Sequence, residues 1–263
     1  MLMKNKAVVI YGAAGAIGSA VARVLAREGA HLYLTGRRRA PVEALARDIV
    51  SAGGCAEAAE VDALDEEAVR AHLRALVDQA GRLDVSFDAV GLRDATTLGV
   101  PFTELDVEGF LEPIAGYARS WFLTARAAAR HMIPNRSGVI MTVSALPARR
   151  GTPLNGGYGP AQAAKEALTR DLSLEFARHG IRVVGLRPHG LPETKTMRDV
   201  FDVKASSTGM TWEQFTGYLA GTTHPRRVMT LAEVAETAAF LASDRAGGFT
   251  GTTVDMTLGC LDG

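Results

Sequence analysis

The chain has 263 residues, 47% hydrophobic and 22% charged, with 29 basic and 29 acidic side chains. That length suits one core, although length alone leaves room for two small domains, and the balanced charge provides no field to draw the chain to nucleic acid or an anionic membrane. No apolar run approaches the ~20 residues of a membrane span, no signal peptide opens the chain, and Cys55 and Cys260 lack metal-ligand spacing, so a cytoplasmic protein with two unbridged thiols and no metal is expected. The first β-rich run, 7–11, ends at a glycine, and Ile17, Val21, Val24 and Leu25 then fall at helical spacing over 17–27. A second strand over 31–35 stops at Gly36, and Pro41 starts a helix that runs to about Ala52 before Gly53-Gly54. Residues 56–61 form a third strand candidate, and 65–80 a helix with acids in its first turn and Gly81 after its last. A strand over 83–90, a long helix over about 104–132, a strand over 138–144, a helix over 156–178 closed by Gly180 and a strand over 181–186 follow. Residues 188–227 are irregular and partly helical, and a helix over 231–243 and a strand over 252–257 complete the pattern.

Repeated β-α-β units require parallel pairing, because each helical crossover returns the chain to the same end of the sheet. The expected fold is α/β: a single domain over 1–263, built as a doubly wound parallel sheet of about seven strands with helices on both faces. Ligands of such sheets bind at the carboxyl ends of the strands, near the point where strand order reverses.

The first strand runs into Gly12-Ala13-Ala14-Gly15-Ala16-Ile17-Gly18. Glycine there permits a tight turn and a close approach of backbone to pyrophosphate, and the helix that follows offers unpaired N–H groups and a positive dipole end. The second strand ends Thr35-Gly36-Arg37-Arg38-Arg39, with no acid to bind a ribose 2′-hydroxyl. Arg37 and Arg38 can instead fork onto a 2′-phosphate, so the cofactor indicated is NADP(H).

From these glycines onward the chain resembles the short-chain dehydrogenase/reductase family, whose fold is of the Rossmann type. The resemblance rests on Val61-Asp62, on Asp84 to Gly91 where the family has D-x-x-x-N-N-A-G, on Tyr158 at the head of the family's Y-x-x-x-K, on Arg182-Val183 followed by Pro188, Gly190 and Thr194, on Glu233-Val234-Ala235 and on Thr250-Gly251. It implies that Gly12, Gly15, Ala16, Ile17, Gly18, Arg37, Arg38, Asp62, Ala63, Ala89, Val90, Gly91, Tyr158, Gln162, Pro188, Gly190, Leu191 and Thr194 contact the cofactor. It also implies a small-molecule substrate, covered by a segment near 192–227 in which Trp212, Phe215 and Tyr218 form either an apolar lid or ordinary helix packing. A homo-oligomer, tetramer or dimer, is expected through the long fourth and fifth helices and the last strand.

The departures bear on chemistry. Asp88-Ala89 replaces the asparagine pair, so local hydrogen bonds must be rebuilt, and Asp88 is a structural cap, an acid or a group for a cationic substrate. The serine thirteen residues before the tyrosine is Ala145, while Ser144, one residue off, faces the other way on an alternating strand. The lysine four residues after the tyrosine is Gln162; Lys165 lies three residues further, roughly 10 Å from Tyr158 along a helix against about 6 Å for the usual spacing. Tyr117 falls at the family's helix-four asparagine, and His189 interrupts the Pro-Gly turn beside the nicotinamide position, as a solvent-contacting loop residue or a proton donor. The catalytic candidates are therefore Tyr158, Gln162, Ser144, Tyr117 and His189, while His131, His179 and His224 have no clustered partners. Gln162 supplies no charge to favour a tyrosinate, which disfavours alcohol oxidation and favours reduction of a ketone or imine by a neutral phenol. The rival expectation is a family member that binds NADP without hydride transfer.

Overall fold

The computed structural model describes residues 1–92 and 98–260. It contains a seven-stranded parallel sheet: β1 (Ala7–Tyr11), β2 (His31–Gly36), β3 (Cys55–Glu60), β4 (Val85–Asp88), β5 (Gly138–Val143), β6 (Ile181–Pro188) and β7 (Thr252–Met256). Their order is β3-β2-β1-β4-β5-β6-β7, so the direction of winding reverses between β1 and β4. The helices are α1 (Ala16–Arg27), α2 (Arg39–Ser51), α3 (Glu66–Ala80), α4 (Val107–Met132), α5 (Tyr158–Phe176), α6 (Lys195–Thr208), α7 (Trp212–Gly221) and α8 (Leu231–Ala242).

Side chains leave a strand on alternate faces. Val8 and Ile10 accordingly enter a core with Val21 of α1, Val42 of α2 and Leu241 of α8. Val9 and Tyr11 enter a second core with Leu73 of α3, Trp121 of α4 and Leu172 of α5. Covered on both faces, β1 is buried throughout and is apolar at every position.

Several boundaries differ from the sequence expectation, and caps explain most of the differences. The second helix starts at Arg39 rather than Pro41, which places Pro41 in the first turn, where a missing N–H loses no helical bond. Asp106 accepts from Gly109 N at 2.6 Å and starts α4 at Val107 rather than 104. The region 188–227 is more regular than expected. Thr194 caps α6, and Thr211 with Gln214 closes a reciprocal capping box on α7. Cys55 is exposed, Cys260 is buried, and both are unbridged. Among the described residues no helix is long and apolar enough to cross a membrane, and no group of three or more His, Cys, Asp or Glu is placed to hold a metal.

The fourth strand ends at Asp88, two residues earlier than expected, because the Asp88 side chain takes over the local hydrogen bonding. Its Oδ1 accepts from Val90 N at 3.0 Å, and its Oδ2 accepts from Ser120 Oγ at 2.8 Å and Thr124 Oγ1 at 3.2 Å, both on α4. Its backbone carbonyl accepts from Thr142 Oγ1 at 3.3 Å. The carboxylate is buried and engaged, which makes it the structural cap and not a group offered to a substrate. Removing it takes the acceptor from Val90 N and from the buried Ser120 hydroxyl, while Thr124 Oγ1 keeps Ser120 O at 2.9 Å. Asp88→Ala is expected to cost about 3–5 kcal/mol and Asp88→Asn only about 1 kcal/mol, read from urea unfolding at neutral pH.

Candidate functional site

The carboxyl end of β1 leads into a backbone cradle. Gly12 has φ +71°, and a Cβ there would lie 2.7 Å from Ala89 O. A Cβ on Gly18 would lie 2.5 Å from Gly12 O. Both positions therefore admit only glycine, and they pull α1 against the turn. Gly15 is the N-cap of α1, with an extended backbone and no side-chain cap, and no acid occupies the first turn. The N–H groups of Ala16, Ile17 and Gly18 thus open the helix without a side-chain acceptor, whereas α3, α4, α6, α7 and α8 each have one. The cradle suits a pyrophosphate: donors, a dipole end and no side chain in the way.

Beside it, a Cβ on Gly36 would lie 2.9 Å from Val42 Cγ2, which leaves an acid no room at this position unless Val42 moves. Arg37 and Arg38 are exposed and make no hydrogen bond or ion pair among the described residues, while Arg39 is bound to Glu43 at 2.6 Å. Asp62 turns its Oδ1 onto Leu64 N at 3.0 Å, next to buried Ala63. Ala89 N donates to Tyr11 O at 3.0 Å, which fixes the Ala89-Val90-Gly91 wall behind Gly12.

Tyr158 is the first residue of α5, and its N–H donates to Asn155 O at 3.1 Å. Its ring meets Tyr117 edge-to-face, with centroids 5.8 Å apart and planes at 73°. Tyr117 Oη accepts from Leu92 N at 3.1 Å. The structure thus brings Tyr117 of α4 directly to Tyr158. Gln162 lies one turn further along α5, 2% exposed. One more turn on is Lys165, 1% exposed, a residue that spacing along the helix had set aside. Its Nζ donates to Val143 O at 2.8 Å and lies 5.6 Å from the Tyr117 centroid. Helical side chains lean toward the N-terminus, so the stem returns toward Tyr158. The signal available in the sequence was its place on the Tyr158 face, seven residues being nearly two turns.

Ala145 is extended (φ −152°, ψ 161°) and brings no hydroxyl. Ser144 is corrected as a catalytic candidate: its Oγ donates to Glu166 Oε1 at 2.7 Å. Glu166 is held by Arg187 through a fork of 2.7 and 2.8 Å, with all three side chains buried. His189 is neither a solvated loop residue nor a ready acid. It is buried, its backbone N–H donates to Met256 O at 3.2 Å and its ring Nε2 lies 3.2 Å from Thr222 Oγ1. Burial holds the imidazole below its ordinary pKa, and the charge of Arg150 pushes the same way. It is therefore neutral near pH 7 and can share a hydrogen bond but has no proton to give as an imidazolium.

Pro188 pairs with Met256 at the end of β6, and the turn after it lies against α6 and α7. A Cβ on Gly190 would lie 3.2 Å from Met197 Cε and 3.4 Å from Leu219 Cδ1, so α6 and α7 rest on this turn. Thr194, expected at the cofactor, commits its hydroxyl to Leu191 O at 2.8 Å and to the cap of α6 through Met197 N at 3.2 Å. Leu191 is buried beneath. Trp212 and Phe215 pack on Phe201, with centroids 5.2 and 5.4 Å away, and Arg198 lies 3.5 Å over Trp212. These aromatics clasp α6 to α7, while Tyr218 stays exposed.

Over residues 12–260 the chain matches the family model described as Enoyl-(Acyl carrier protein) reductase. It is similar to an uncharacterized oxidoreductase of Bacillus subtilis (strain 168), YxbG, at 31% identity across 96% of this chain and 89% of that protein. It is similar to cis-4-hydroxycyclohexanecarboxylate dehydrogenase of Sinomonas cyclohexanicum at 33% identity, across 92% of this chain and 91% of that one. In fold it resembles NAD+-bound xylitol dehydrogenase, with a TM-score of 0.90 at 23% identity, across 97% of this chain and 99% of the other.

The state of His189 makes stability depend on pH. Its folded pKa is lowered, so unfolding takes up a proton once the pH falls below the unfolded value of about 6.5. The stabilisation is full above that value and is lost as the pH falls toward the folded one. His72 and His131, also lowered by burial, act in the same direction. The thermal midpoint should fall between about pH 7 and pH 5, and His189→Gln should make that fall shallower; an unchanged slope in the variant would contradict the buried neutral imidazole.

Proposed function

The chain belongs to the short-chain dehydrogenase/reductase family and is an oxidoreductase of that type; we propose that it is an NADP(H)-dependent reductase of a ketone or imine on a small organic molecule, with Tyr158 as proton donor. The observation that carries the cofactor reading is the end of β2. A side chain at Gly36 would press on Val42, and Arg37 and Arg38 stand exposed without partners among the described residues. A 2′-phosphate would complete them, and a guanidinium fork fits it geometrically. Gly12, Gly15 and the first N–H groups of α1 would hold the pyrophosphate, and Asp62, Ala63 and the Ala89–Gly91 wall would border the adenosine half.

NADPH, when bound, supplies the hydride. Tyr158 passes its phenol proton to the carbonyl oxygen or imine nitrogen as the adjacent carbon accepts that hydride, and the phenolate then regains a proton from water. Gln162, in the place of the family's lysine, offers hydrogen bonds at the ribose level but itself brings no charge, and a neutral phenol suffices as the donor for reduction. Met197 and Leu219 would exclude water from above. Exposed Phe122 on α4 and Leu174 on α5 support a homo-oligomer joined through these helices, which sedimentation equilibrium would read as a mass of two or four chains.

A second reading is favoured by one observation: Ala145 has no hydroxyl and Ser144 has spent its own on Glu166. On that reading the protein binds NADP without transferring hydride. NADPH oxidation against a panel of ketones and imines separates the two. Turnover supports the reductase. Silence across the panel, with NADPH raising the thermal midpoint, sinks it and favours the binding reading. Arg37→Ala should weaken NADPH about 10–100-fold and leave NADH nearly unchanged; equal losses for both would remove the 2′-phosphate assignment.

A further inference from the structure

We propose that Lys165 is a positioning residue that supplies the Tyr117–Tyr158 pair with the positive charge that Gln162 lacks. The inference rests on the reading of Tyr158 as proton donor. Its first support is placement. Tyr158, Gln162 and Lys165 occupy one stripe of α5, since four and seven residues are close to one and two turns. Its second support is where the ammonium lies. Nζ reaches the carbonyl of Val143, the last residue of β5 and two before Ala145. There it lies against the ring of Tyr117, whose ring in turn touches that of Tyr158.

The third support is an energetic anomaly. Lys165 is almost wholly buried and has no ion pair within reach among the described residues. An ammonium has three donors, and Val143 O takes one. Burying a charge without a contact partner costs several kcal/mol, and an apolar side chain would pack there without that cost. Burial accordingly pushes the ammonium below its ordinary pKa, and Asp88 of β4 acts in the opposite sense, favouring the charge. The other titratable groups facing this region are Tyr117 from α4 and Tyr158 from α5 itself, while Tyr11 of β1, whose phenol is pushed up by burial and by Asp88, is within the reach of that carboxylate's charge. Each phenol that gives up a proton there becomes negative, and a buried cation behind the pair stabilises that charge as it develops.

The test compares wild type, Lys165→Met, and Lys165→Met combined with Gln162→Lys. The substrate is whichever panel ketone or imine the wild type reduces with NADPH. Lys165→Met should keep or raise the thermal midpoint, because a buried charge is gone, and keep the NADPH Kd and the substrate KM. Its kcat should fall about 10–100-fold, with the alkaline limb of the kcat profile moved to higher pH. Gln162→Lys in that background should recover most of the loss by returning a cation to the same stripe. A midpoint and a kcat that fall together, without recovery in the double variant, show a structural lysine and overturn the proposal. An unchanged kcat and pH profile in Lys165→Met overturn the proposal alone and leave the reductase standing. Should Lys165→Met not fold, Lys165→Gln with the same double variant takes its place under the same criteria. A wild type that binds NADPH but reduces no panel compound overturns the reductase reading and this proposal with it.

Discussion

A carboxylate buried where the strand order reverses sets the rest of the site. Asp88 gathers Ser120 and Thr124 from α4 and the N–H of Val90, while its carbonyl takes Thr142 of β5. Three elements and a turn therefore meet on one residue. The turn it holds carries Ala89, whose carbonyl is the surface against which Gly12 must be glycine. The helix it holds carries Tyr117 three residues before Ser120, which places that ring against Tyr158. Its charge is also the one that favours an ammonium at Lys165. The phosphate cradle and the tyrosine pair are therefore not independent.

The two buried cations beside α5 show why one is fixed structure and the other a source of field. Arg187 is forked onto Glu166, which also accepts the Ser144 hydroxyl. Such a pair neutralises itself at contact distance, and little potential reaches beyond it. Lys165 and Asp88 are attracted but not in contact, so the potential of the ammonium is not cancelled locally. It extends through the face of Tyr117, the side on which the ring quadrupole favours a cation. The serine of the family pattern is absent and its neighbour is bound into the silent pair, so the site's polarity rests on the tyrosines and the lysine behind them.

The sheet was legible because its signals are local: short apolar runs bounded by glycine, alternating with helical periodicity. The cradle was legible for the same reason, since a turn with no room for Cβ at Gly12 and Gly18 imposes glycine on the sequence itself. Helix starts moved by a few residues wherever a cap decided them, as at Asp106. Residues 188–227 read as irregular and partly helical, and the capping box of Thr211 and Gln214 is the local signal that fixes where α7 starts. The expectation that Ser144 faces away agrees with its bond to Glu166, because strand alternation is a rigid rule. Lys165 was missed because counting along α5 compares Cα positions, and a lysine stem leaning back along the helix spans the difference. His189 was misjudged because burial between the β6 turn, Arg150 and Thr222 is a tertiary fact with no local signature.

A field from Lys165 reaches the reacting atoms only if water is kept out, since the same charge that is strong at low dielectric is weak in bulk water. On the proposed reading, α6 and α7 are the elements that would exclude it. Gly190 allows Met197 and Leu219 to sit directly on the turn after β6. The aromatic clasp of Phe201, Trp212 and Phe215, reinforced by Arg198 over Trp212, packs α6 against α7 as one body. The Nε2 contact of His189 with Thr222 then ties the end of that body to β6 through a neutral imidazole. A protonated histidine there would place a second, poorly solvated cation beside Arg150 and strain the contact with Thr222. The lowered pKa of His189 thus keeps a buried cation from forming at the end of α7.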